Sequence, residues 1–118
     1  MPDDPFVVVQ TPGFSVTYIL GVDDDPDSVE DVDAIVTAPD GSRRTASLMT
    51  HGRIGEVMRR RVQTGESAHG LYLRVPDLVI MREGGLAAAT KALTDLFDVY
   101  GLDSDILPHC EPDDDIDA

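Results

Sequence analysis

An α+β fold follows from three features of this 118-residue chain. The first half carries runs in which apolar and polar residues alternate, the period of a strand with one buried face. Two later stretches repeat their apolar residues at helical spacing. Strands come first and helices later, which predicts a mainly antiparallel sheet of about five or six strands with two helices packed on one face, in the order β-β-β-β-α-β(-β)-α.

The first strand is PFVVVQ, and Thr11-Pro12-Gly13 turns the chain into the second, FSVTYIL. There Phe14, Val16, Tyr18 and Leu20 alternate with Ser15 and Thr17. DVDAIVT sets Val32, Ala34 and Val36 on one face, and Pro39-Asp40-Gly41 suits a type I turn closed by a left-handed glycine. RRTASLMT then completes a hairpin. In residues 52–63 the spacing becomes helical, with Ile54, Val57, Met58 and Val62 on one face. Thr50 is the expected N-cap and Gly65 the expected stop, and TGESAHG reads as a loop.

LYLRVPDLVIMRE is β-rich but interrupted at Pro76-Asp77, which either bends one strand or joins two by a wide loop. LVIM is continuously apolar and predicts a central strand covered on both faces. GLAAATKALTDLFDVYG is the strongest helix, with a stripe of Leu86, Ala89, Leu93, Leu96, Phe97 and Tyr100 and a stop at Gly101. Beyond Ser104 periodicity is lost. The expected organisation is one domain over 1–104 and an acidic, flexible tail over 105–118.

Charge is segmented along the chain. Residues 1–42 hold ten acids and no Lys or Arg; residues 43–91 hold four acids and all nine bases; residues 92–118 hold nine acids and no base. The net charge of -14 makes direct nucleic-acid binding by the whole surface unfavourable, since phosphates would be repelled. High Asp over Glu and Arg over Lys is also the usage of GC-rich genomes and salt-adapted proteins, where acidity serves solvation. No run approaches the roughly 20 apolar residues of a membrane span, and the acidic opening does not resemble a signal peptide. The expected compartment is the cytoplasm.

The acid run GVDDDPDSVEDVDA raises the question of a metal, because Asp23, Asp25 and Asp27 have the opening spacing of a calcium loop. Ser28 stands where the loop needs Gly, Ala34 where it needs a bidentate Glu, and the flanks read as strands. No metal site is assigned. His51, His69 and His109 are too scattered for a local zinc motif, and Ser67 lacks a nucleophile elbow. Cys110, the sole cysteine, lies in the tail beside His109 with nothing to form an oxyanion site. Gly84-Gly85 lacks the further glycines or lysine of a phosphate loop and reads as a flexible strand-to-helix turn. No catalytic residue or cofactor is assigned.

Basic residues concentrate at Arg53, Arg59, Arg60 and Arg61, with Arg43 and Arg44 upstream. Arg53 and Arg60 project roughly 20° apart on a helix and share a stripe. They form a small basic patch or neutralise the chain's own acids, and plentiful acid nearby favours neutralisation.

The segment from Gly52 to Tyr100, above all GLYLRVPDLVIMREGGLAAATKALTDLF, resembles small uncharacterised actinobacterial proteins. In that group a glycine-led β run, a V-P-D-L-V-I core and a closing helix follow in the same order. The resemblance implies a fold and carries no activity.

The combined expectation is a non-catalytic acidic module, inhibitor- or immunity-like, that binds another protein with a basic surface. Asp23, Asp24, Asp25, Asp27, Glu30 and Asp31 are the candidate contact residues. One alternative is a small enzyme or ligand binder with a pocket near His51 and His69, joined by Asp77 and an arginine. Another is an oligomeric structural or accessory protein with LVIM or the alanine-rich helix at a subunit contact.

Overall fold

The computed structural model describes residues 5–102 and 106–109. Its sheet has five strands in sequence order: β1 (Phe6–Gln10), β2 (Ser15–Ile19), β3 (Asp31–Thr37), β4 (Arg43–Thr50) and β5 (Leu78–Met81). β1 to β4 form an antiparallel meander, and β5 pairs parallel to β4. Helix α1 (His51–Thr64) and the short α2 (Glu66–Gly70) make the crossover that a parallel neighbour requires, and α3 (Leu86–Tyr100) follows β5. The α+β class and its mainly antiparallel sheet are those expected from the strand-then-helix order.

Alternation decides which side of the sheet is covered. Val16 and Tyr18 of β2, Val32, Ala34 and Val36 of β3, and Ala46 and Leu48 of β4 all turn inward and are buried. Against them α3 lays Leu86, Ala89, Leu93 and Phe97. The small Ala89 lets the helix approach closely, and each buried Val or Leu contributes about 1.5–3 kcal/mol relative to exposure. Phe97 meets Phe14 edge-to-face, with ring centroids 5.3 Å apart. The Tyr18 hydroxyl, carried into this core, hydrogen-bonds the Thr90 hydroxyl of α3 at 2.7 Å. Burial pushes the Tyr18 pKa up, and the bond to Thr90 only partly offsets it. Leu96 and Tyr100, expected in the same stripe, lie at its margin, half-buried and exposed.

α1 behaves differently. Thr50 caps it as expected, accepting from the Arg53 N–H at 3.1 Å, and Gly65 ends it in the left-handed region at φ 87°. None of its residues is buried: Ile54, Val57 and Met58 are half-covered and Val62 is exposed. The layer over the core is therefore built by α3.

Three expectations are corrected. LVIM forms β5 at the sheet's edge, not a central strand, and Ile80 on its outer face is 63% exposed. A continuous apolar run does not reveal how many neighbours a strand has. Pro76-Asp77 neither bends a strand nor joins two, because residues 72–77 enter no ladder. The Leu78 N–H closes a turn onto the Val75 carbonyl, with Pro76 just inside it. The expected loop at residues 64–70 holds a left-handed turn, with φ 52°, 53° and 60° at Ser67, Ala68 and His69.

The expected tail is docked where it is described. Leu107 is buried in the core, the Pro108 carbonyl accepts from Thr45 N–H at 3.1 Å, and His109 bridges to Arg44. Cys110 and the rest of the tail lie outside the described residues. Among the described residues no helix is long and apolar enough to cross a membrane.

Candidate functional site

Residues 21–30 of the acid run form the loop between β2 and β3, Asp31 and Asp33 enter β3, and the carboxylates at the start of the loop divide into two groups. Asp24 Oδ2 accepts from the Gly21 N–H at 2.7 Å, and Asp25 Oδ1 from the Asp27 N–H at 2.9 Å. These bonds shape the loop from within, as aspartates do at turns. Asp23 and Asp27 are exposed, and neither carboxylate takes a hydrogen bond or ion pair among the described residues. Their charge is presented to solvent.

The loop is fastened to the N-terminal ends of both long helices. Val29 is its buried apolar anchor. The Gly85 N–H donates to the Val29 carbonyl and the Leu86 N–H to the Pro26 carbonyl, both at 2.8 Å. A Cβ on Gly84 would lie 2.6 Å from the Ser28 carbonyl oxygen, and one on Gly85 would lie 2.6 Å from that of Asp27. The double glycine is thus a close-packed seat for the loop, where the sequence suggests a flexible turn. The Gly85 and Leu86 N–H groups at the start of α3 are spent on loop carbonyls.

At the other helix, the Thr50 N–H donates to the Glu30 carbonyl at 2.9 Å and the Thr50 hydroxyl to Glu30 Oε1 at 2.8 Å. Thr50 therefore caps α1 and holds the loop at once. Both helices direct the positive ends of their dipoles toward this end of the molecule, which favours the acids gathered there.

Of the four candidate arginines, Arg53 reaches the acid run. Its Nε donates to Asp31 Oδ2 and its Nη1 to Glu56 Oε1, each at 3.4 Å. Partial burial lowers the Arg53 pKa, but the bonds and charges of Glu56 and Asp31 together outweigh it and hold the guanidinium above its ordinary value. Arg61 donates instead to Ser67 Oγ at 2.8 Å. Arg59 and Arg60 are exposed and form no ion pair among the described residues. The expected basic stripe is therefore divided between neutralisation at Arg53, a loop contact at Arg61 and two solvated charges.

Loop, Arg53 and Glu56 enclose an open groove of about 460 Å³. Among the described residues no set of three or more His, Cys, Asp or Glu side chains converges as a metal site. His51 and His69 do not meet: His51 opens α1, whose 14 residues rise about 20 Å, and His69 lies in the turn beyond its far end, beside Gly65. Asp77 lies in the turn before β5, where its carbonyl accepts from Ser47 N–H at 2.9 Å.

Sequence reasoning located the acids but missed what fixes them: Thr50, Val29 and the Gly84-Gly85 seat. Two adjacent glycines at a helix entry were the available signal, since close backbone approach is a reason for glycine there. No family model, curated protein or solved structure matches the chain.

Proposed function

We propose that the protein is a non-catalytic binding module whose pre-shaped acidic loop docks on a basic surface of another protein. The observation that carries this reading is the fastening of residues 26–30 to the starts of α1 and α3, which leaves Asp23 and Asp27 solvent-facing on a fixed frame. A loop already ordered loses less entropy on binding, and its field speeds encounter with a positively charged partner. An acidic surface serving solvation alone needs no such frame.

The test is affinity capture at low ionic strength, comparing wild type with Asp23→Asn/Asp27→Asn and with Asp95→Asn/Asp98→Asn. Both variants remove the same charge, and Asp95 and Asp98 are exposed on α3. A basic, salt-sensitive partner lost only with the loop variant supports the reading. Equal loss, or no basic partner, overturns it.

A second reading, self-association, is favoured by one observation. Residues 5–20 contain no charged residue in a chain of net -14, and they form the sheet-edge strand β1, with Phe6 and Val8 each more than half exposed, and its neighbour β2. Light scattering on wild type and Val8→Lys tests it: a dimer that the variant dissolves supports this reading, and a wild-type monomer removes it.

A further inference from the structure

Arg44 occupies the inward-facing row of β4 with Ala46, Leu48 and Thr50, and is only 4% exposed. A buried guanidinium is costly unless its charge and donors are matched. Arg44 is poorly matched. Nη1 donates to the Leu102 carbonyl, Nε–H has no partner, and no carboxylate forms an ion pair with Arg44 among the described residues. The charge of Asp40 interacts with it. That carboxylate is committed to the Ser42 N–H and hydroxyl on the exposed turn, at 2.9 and 2.7 Å.

The same side chain lines a cleft of about 430 Å³ at the far end of β3 from the acidic loop. Ala38, Pro39 and Leu102 give it apolar walls, Asp40 and Ser42 form one lip, and His109 stands on the opposite strand segment. The volume lies within the range of small-ligand pockets, about 300–1,000 Å³.

We propose that this cleft binds a monoanionic carboxylate carried on a short branched apolar group, with the Arg44 guanidinium as its counter-ion. The planar fork of Arg matches a carboxylate in a way a point charge does not. Burial in an apolar cleft strengthens that attraction, and the walls accept the apolar body. The ionised Asp40 at the lip repels a second negative charge, which selects a monocarboxylate over the phosphate dianion. The site is independent of the acidic loop and of the function proposed for it.

Heteronuclear NMR of the Arg44 Nε–H in the full chain tests this with three probes: isovalerate, its neutral isostere isovaleramide, and inorganic phosphate. Isovalerate is expected to shift Arg44 Nε–H and the Ser42 amide saturably, and the other two are not. Arg44→Gln is expected to abolish the Ser42 response. If that variant does not fold, Arg44→Lys, which keeps the charge without the fork, is expected to bind isovalerate about tenfold more weakly. No saturable shift, an equal response to isovaleramide, or a stronger response to phosphate overturns the proposal. So does an isovalerate response that appears only in Asp103→Asn/Asp105→Asn, because the chain itself would then supply the anion.

Discussion

Substituting Gly84→Ala isolates the seat of the acidic loop without touching a charge. Gly84 needs no left-handed backbone, so the perturbation is steric: the added methyl would lie 2.6 Å from the Ser28 carbonyl oxygen and 2.8 Å from that of Val29. Both obstacles are backbone, so no side-chain rotation relieves them. Relief requires the loop to move away from α3. That weakens the Gly85-to-Val29 and Leu86-to-Pro26 hydrogen bonds, each worth about 0.5–1.5 kcal/mol. Overpacking of a fitted contact adds about 1–3 kcal/mol. The terms overlap, since movement that relieves the clash is what breaks the bonds, so the expected loss is about 2–3 kcal/mol. Urea denaturation measures the loss, and hydrogen exchange at Gly85 and Leu86 locates it. A destabilisation below about 0.5 kcal/mol, the level of an ordinary surface change, with unaltered exchange at those amides would refute the close-packed seat.

Other changes probe the remaining frame. Tyr18→Phe removes the bond to Thr90 and is expected to cost about 1 kcal/mol in urea denaturation. Because the folded Tyr18 holds its proton above the ordinary value of 10.0, its contribution is fully present below that pH. It declines as pH rises through the folded value, and this alkaline loss should be shallower in Tyr18→Phe. Thr50→Ala removes the α1 cap and a loop clamp together and should cost about 1–2 kcal/mol, with Thr50→Ser recovering most of it in thermal melts. Ala68→Gly should stabilise by about 0.5–1 kcal/mol. It relieves a left-handed residue costing about 1–2 kcal/mol, against the greater unfolded-state freedom of glycine. A lower melting temperature in Ala68→Gly would contradict that turn geometry.

The strands of the meander and α3 were legible because burial on one face writes a period into the sequence. Val16 and Tyr18, Val32, Ala34 and Val36, and Leu86, Ala89, Leu93 and Phe97 all show it. Caps were legible for a local reason too: Thr50 and Gly65 satisfy groups within four residues of themselves. What failed depends on distant partners. The edge position of β5 follows from the crossover, not from the composition of LVIM. The left-handed turn at Ser67–His69 has no glycine at those three positions to announce it; beside it, Gly70 packs against the Met58 carbonyl and Val62. Arg44 was a partial failure, since its place on the alternating row Arg44, Ala46, Leu48, Thr50 already predicts an inward charge. At the acid run the sequence supplied the residues and the fold supplied their division: Asp24, Asp25, Glu30 and Asp31 hold structure, and Asp23 and Asp27 face outward.

The most direct test of the binding account is the association rate of the captured basic partner, followed across ionic strength for wild type and both double-asparagine variants. Fixed charge on the loop predicts a fast, strongly salt-dependent rate that Asp23→Asn/Asp27→Asn slows and flattens, while Asp95→Asn/Asp98→Asn leaves it near wild type. Equal slowing by the two variants would mean that only the total charge of the chain matters, and would contradict the assignment of the loop as the docking surface.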